Sequence, residues 1–169
     1  EAMTGVNASA LSILRAYSHV RVQMDDTMAM VARTPELLVE GFEVFVPTAA
    51  FDALWQRALA AGAVPCGLSA WEVARVEAGR PEWGLDIDDS TLTQEANFDE
   101  LQAVSYTKGC YVGQEFVARV HFKGHVNRHL RGLRLSGTVL PPTGAGLQDA
   151  TGHAAGDVRS SVVSPRLGP

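Results

Sequence analysis

The hydrophobic positions of this chain change period several times, and each change marks an element. Ala10, Leu11, Leu14 and Tyr17 recur at helical spacing behind Asn7, which predicts a helix over Asn7–His19 capped by Asn7. TMAMVAR (Thr27–Arg33) and GFEVFVP (Gly41–Pro47) have the composition of strands, and in the second Phe42, Val44 and Val46 alternate with Glu43 and Phe45. With a loop containing Pro35 between them, the two runs are expected to pair antiparallel. From Pro47-Thr48 the period returns to helical, with Phe51, Leu54, Trp55, Ala58 and Leu59 on one face and Gly62 as the stop. Ser69–Glu72, SAWE, has the form of a capping box, so a further helix should run to Gly79, with Arg80-Pro81 beyond it.

The rest of the chain is less periodic. Gly84–Glu100, GLDIDDSTLTQEANFDE, is rich in turn formers and is expected to be a long surface connection, the kind of segment that often lines a site. GQEFVARVH from Gly113 can begin a helix, and beyond Val120–Gly124 short strand-like runs alternate with Gly/Pro turns. The expected class is α+β, with antiparallel sheet and helices over residues 1–121 and the start of an all-β domain over residues 122–169. That second part writes only a few strands, which would need partners.

Composition narrows the class of protein. With 46% hydrophobic and 20% charged residues the chain has the make-up of a globular protein. No apolar run approaches the roughly 20 residues of a membrane span, and the first residues lack the pattern of a secretory signal. A cytoplasmic protein without a membrane partner is the expectation. A formal net charge of −5 argues against a broad nucleic-acid surface, so no direct nucleic-acid partner is expected. The charge is uneven, however: Arg119, Lys123, Arg128, Arg131 and Arg134 stand with His121, His125 and His129 in an acid-free stretch, either a solvated face or a local anion site.

Candidate chemistry centres on KGCYVGQE, Lys108–Glu115. A thiol reacts as thiolate, which a helix N-terminus or a fixed cation favours. Lys108 supplies a cation, the helix expected after Gly113 supplies amides, and Gly109 and Gly113 permit tight turns that present Cys110 on a loop. Against this stands the ordinary buried, inert cysteine. The second cysteine, Cys66 in AVPCGL, is expected to pack, and the pair shows no metal or disulfide spacing. His121, His125 and His129 would share a face only on a continuous helix, which Gly124 opposes, so no metal site is expected. Glu82, Asp86, Asp88 and Asp89 are read as a solvated acidic loop, not as acid–base pairs. A phosphate-binding glycine loop is absent.

RVEAGRPEWGLDID, QEANFD, SYTKGCYVGQEFVAR and GDVRSSVVSP occur in the order seen in the YgfZ family, folate-binding proteins that resemble the T-protein of the glycine cleavage system. The family signature K-G-C-[FY]-x-G-Q-E-x3-R-x-[KR] is met at Lys108, Gly109, Cys110, Tyr111, Gly113, Gln114, Glu115 and Arg119, and departs at the last position, where His121 stands. The resemblance implies a T-protein-like folate-binding domain followed by part of a C-terminal β-barrel, and a longer family protein of which this chain is a fragment or from which it lacks segments. It implies tetrahydrofolate or a derivative as cofactor, and iron–sulfur proteins or their assembly machinery as partners, including cluster enzymes that modify tRNA.

On that resemblance Cys110 is the functional thiol and Lys108 the cation that favours its thiolate, while Gln114, Glu115 and Arg119 hold the loop. Trp71, Tyr111 and Trp83 are candidates to stack on a pterin, Lys108 or Arg119 to meet its glutamate tail, and Glu43 joins the cofactor-binding candidates. True aminomethyltransferases carry a folate-binding Glu and Arg at positions that here fall on Val39 and Trp71. Their pattern also lacks the cysteine, so an iron–sulfur accessory role ranks first and tetrahydrofolate-dependent aminomethyl transfer second. The transferase would need a catalytic carboxylate that the T-protein carries in its N-terminal region.

Overall fold

The computed structural model describes residue 11 and residues 13–168, which form two compact units, one ending at Ala74 and one starting at Arg75. The first unit is built on a three-stranded antiparallel sheet in the order β1-β2-β3, with β1 His19–Met24, β2 Thr27–Arg33 and β3 Phe42–Phe45. Its register aligns Val20, Val31 and Val44 in one cross-strand row, and sets Val22 opposite Ala29. Because side chains alternate across a pleated sheet, these residues share one face. Helix α1, Phe51–Ala60, preceded by a 3-10 turn at Thr48–Ala50, covers that face with Leu54. The buried cluster is Val22, Met24, Ala29, Val31 and Leu54, with Leu11, Val20, Val44 and Val46 packed at its margin.

The sequence pattern anticipates β2, β3 and α1. Gly62 ends α1 with φ +93°, and the amide of Ala63 reaches the Ala58 carbonyl at 3.0 Å while that of Gly62 reaches Leu59 at 3.0 Å, a closing pattern that a left-handed residue permits. The apolar stripe of α1 is only partly buried: Phe51 and Trp55 are exposed and lie parallel to each other, with centroids 6.2 Å apart.

The expected first helix is corrected. Residues 7–10 and 12 of it lie outside the described residues, and the remainder does not run to His19. Residues 13–17 form turns, Tyr17 has φ +59°, and the chain is already a strand at His19. The cause is pairing with β2: the Tyr17 amide donates to the Arg33 carbonyl (2.8 Å), the Arg33 amide to the Ser18 carbonyl (3.0 Å), and the Arg33 guanidinium to the Leu14 carbonyl (2.6 Å). Strand β1 is therefore an element that the sequence pattern did not predict. It turns into β2 through Asp25-Asp26, where Asp25 takes the positive φ (+49°) common in two-residue hairpin loops. Arg57 of α1 forms an ion pair with Asp25.

Helix α2, Leu68–Glu77, starts one residue before the expected cap, so Ser69 lies inside its first turn, and the amides of Ala70 and Trp71 both face the Gly67 carbonyl. Gly79 (φ +67°) ends it as expected.

The second unit has helix α3, Gln114–Lys123, and a two-stranded hairpin of β4 Gly146–Gln148 and β5 Ala154–Asp157. Between α2 and α3 the chain makes turns without regular elements. The expectation that Gly84–Glu100 is a surface connection is corrected, since Asp86, Ile87 and Ala96 within it are buried. Its turn formers fold it inward because its polar side chains find protein partners. Antiparallel sheet and separate helices make the chain an α+β protein. No helix among the described residues is long and apolar enough to cross a membrane.

Candidate functional site around the Cys110 loop

Two sets of polar ties build the second unit. Arg75 and Asp86 form a buried ion pair at 2.6 Å, each side chain only 4% exposed. The same guanidinium donates to the Arg80 carbonyl (2.6 Å) and to Ser160 Oγ (2.8 Å), while Asp86 also accepts the Glu82 amide (2.9 Å). Glu77, two residues on, accepts from Ser164 Oγ and from Arg166. RVEAG is thus fastened to RSSVVSPR, and desolvation of the charges is offset by bonds on every side. The expected solvated acidic loop is corrected at Asp86. Asp88 instead stays exposed, its carboxyl held below the usual range by the Ser90 hydroxyl and amide.

The second set radiates from QEANFD. Gln94 Nε2 reaches the Tyr106 hydroxyl and the Val117 carbonyl, both at 3.2 Å. Glu95 receives Arg128 through two bonds of 3.0 and 3.1 Å, and Asn97 Nδ2 donates to the Leu130 carbonyl at 2.8 Å. The Arg128 bond outweighs burial and holds the Glu95 carboxyl below the usual range. Asp99 accepts the Tyr106 hydroxyl (2.5 Å), and its second oxygen lies 2.9 Å from His121 Nδ1. Burial, then the bond to Asp99, pushes the Tyr106 phenol up to about 12. Sequence reading found QEANFD only as a motif, because its partners lie far along the chain.

The second set reaches the Cys110 loop at its entry, Tyr106, and at α3. Cys110 is a free, exposed thiol on the segment leading into α3. Gly113 occupies the helix N-cap with φ +83°, a conformation that strains any residue with a Cβ. Gly109 has neither a positive φ nor a neighbour that a Cβ would crowd, so its backbone does not call for glycine. The Lys108 ammonium sits 5.1 Å from the centroid of the Tyr111 ring, a cation–π contact. Tyr111 and Gln114 bracket the turn, the Tyr111 amide meeting Gln114 Oε1 at 3.3 Å and the Gln114 amide the Tyr111 carbonyl at 3.2 Å. The Tyr111 hydroxyl is buried without a hydrogen-bond partner among the described residues. Arg119 and Glu115 form an exposed pair at 3.0 Å one turn apart on α3.

The structure therefore gathers Lys108, Cys110, Tyr111, Gly113, Gln114, Glu115 and Arg119 on one loop and helix. Trp71 and Glu43 belong to the first unit, Trp71 half-exposed on α2 and Glu43 exposed on β3. Trp83 is exposed. Cys66 does not pack as expected: it is exposed between α1 and α2, its Sγ 3.6 Å from the Val64 carbonyl and outside the buried cluster. Helix α3 ends at Lys123, so His121, His125 and His129 do not share a helical face, and among the described residues no His/Cys/Asp/Glu cluster suits a metal ion. The second unit also holds a cavity of about 920 Å³, walled in part by Asp86, Ser160 and, from the basic stretch, Arg128, His129, Arg131 and Arg134, while none of the Cys110-loop residues lines it.

Residues 2–106 match the family described as GCVT N-terminal domain, a match that stops just short of Lys108. The chain is 35% identical over 158 residues to an aminomethyltransferase of Thermosynechococcus vestitus, covering 94% of the chain and 42% of that relative. It is 34% identical to the aminomethyltransferase of Rubrobacter xylanophilus (95% of the chain, 42% of the relative) and 32% identical to that of a Nostoc species (94% and 41%). The chain spans about two fifths of the length of these curated relatives. With more than half of its residues inside the family match, the chain belongs to the GCVT N-terminal domain family.

Proposed function

We propose that the chain is part of a tetrahydrofolate-dependent protein of the glycine-cleavage type, acting in aminomethyl transfer. The observation that carries this reading is the family match over residues 2–106, together with relatives named as aminomethyltransferases. It reverses the order in which the sequence ranks the two functions. Tetrahydrofolate or a derivative is the cofactor, with Trp71 as a stacking surface and Glu43 as a polar contact to it. Residues 1–121 are then the folate-binding part, and residues 122–169, which include the β4–β5 hairpin, the start of a C-terminal β-barrel.

A second reading is favoured by a specific observation, the free and exposed Cys110 within the YgfZ signature at the head of α3. In it the protein is a cytoplasmic, folate-binding accessory factor for iron–sulfur cluster assembly or repair, serving cluster proteins that include tRNA-modifying enzymes. Val39 and Trp71, in place of the charged folate partners of the T-protein, support this reading too.

One experiment separates the two. Full-length protein is given an aminomethylated carrier protein and tetrahydrofolate, and ammonia release is followed. Release upholds aminomethyl transfer. No release, with restoration of cluster-enzyme activity in cells lacking the protein and loss of that restoration in Cys110→Ala, upholds the accessory role.

A further inference from the structure

The entry to the Cys110 loop and the far end of the helix that follows it meet at one cluster. Tyr106 opens the loop, and His121 stands in the last turn of α3. Their rings stack at 3.9 Å between centroids with 22° between planes, and Phe122 meets Tyr106 edge-on at 5.7 Å. One carboxylate serves both: Asp99 Oδ1 accepts the Tyr106 hydroxyl, and Asp99 Oδ2 accepts His121 Nδ1. An ionised carboxylate only accepts, so Nδ1 carries the proton in this bond. Gln94 adds the third side, donating to the Tyr106 oxygen and to the Val117 carbonyl in the middle of α3.

Beyond this base the loop is lightly held. Lys108, Gly109 and Cys110 are exposed, and Val112 is fully so. The hydrogen bonds that shape it are long, 3.3 Å from the Lys108 amide to Ser105 Oγ and 3.3 Å from the Tyr111 amide to Gln114 Oε1. A loop with few ties at its tip takes its direction from its base.

We propose that Asp99, Tyr106 and His121 are the positioning residues of the Cys110 loop, one carboxylate locking the phenol at the loop entry to the imidazole at the end of α3. The proposal rests on the reading in which KGCYVGQE is the working site, and adds to it what aims that site. It also gives His121 a role. This chain departs from the signature at His121, where Lys or Arg would stand. A lysine there could pair with Asp99 but would lack the flat ring that stacks on Tyr106.

The test is amide hydrogen exchange by mass spectrometry on the full chain, comparing wild type with Tyr106→Phe and Asp99→Ala. Tyr106→Phe keeps the ring and removes one hydroxyl, so amides of residues 107–113 should exchange about tenfold faster while β1–β3 stay unchanged. Nitrogen chemical shifts of His121 supply a readout that fold stability does not move. Neutral His121 should hold its proton on Nδ1 in wild type and shift toward the other tautomer in Asp99→Ala. Unchanged exchange at residues 107–113, acceleration spread over the whole second unit, or an unmoved tautomer would each overturn the proposal. Cys110→Ala leaves the cluster intact and tests the working-site reading separately: full function in that variant beside a loosened loop in Tyr106→Phe would reject the thiol role and keep the positioning role.

Discussion

The first unit is held internally by apolar burial and the second by polar ties, and the two kinds of chemistry fail in different ways. Val22, Met24, Ala29, Val31 and Leu54 close the first unit between a sheet and a helix. In the second unit the buried residues include Arg75, Asp86 and Ser164 beside Ile87 and Ala96. A core of the first kind loses stability in proportion to the volume removed. A network of the second kind loses it steeply when one partner goes, because the other stays buried with its charge uncompensated.

The contrast between the two units is tested most severely at Arg75–Asp86. Asp86→Ala should cost about 3–5 kcal/mol in denaturant unfolding, since Arg75 keeps its charge in a dry site. Replacing both members by apolar residues of similar size should cost far less, and an additive cost for the double variant would contradict the account. Next is Leu54→Ala, expected to cost about 2–4 kcal/mol with faster amide exchange in β1 and β2. A smaller effect is expected at Glu95, where the folded carboxyl titrates below its ordinary value. Its contribution is present above that ordinary value and lost as pH falls through the lowered one, so Glu95→Gln should flatten the acid limb of the stability curve. The smallest is Arg119→Ala: its ion pair with Glu115 is exposed, and the change in stability should stay within about 0.5 kcal/mol.

The same contrast explains what the sequence reveals. The strand composition of TMAMVAR and the helical spacing from Phe51 to Leu59 are local signals, and both elements stand where the pattern puts them. Strand β1 alternates equally well at Val20, Val22 and Met24, but the helical spacing that ends at Tyr17 draws the expected helix across its first residue. The positive φ at Tyr17 marks the place where pairing with β2 overrides that spacing. In the second unit there is no period to read. Glu95 finds Arg128, Asp99 finds His121, and Arg75 finds Ser160 by pairwise chemistry across long stretches of chain. The Cys110 loop was legible because glycines and a signature frame it. Its base at Asp99 and Tyr106 was not, since neither residue carries a local signal of its partner.

On the proposed reading this chain carries the folate-binding part of a T-protein-like protein. Calorimetric titration of tetrahydrofolate into the full-length protein, with Trp71→Ala beside it, tests it most directly. Saturable binding that weakens in the variant is expected, whereas no saturable heat with the wild-type protein would rule the folate-binding reading out.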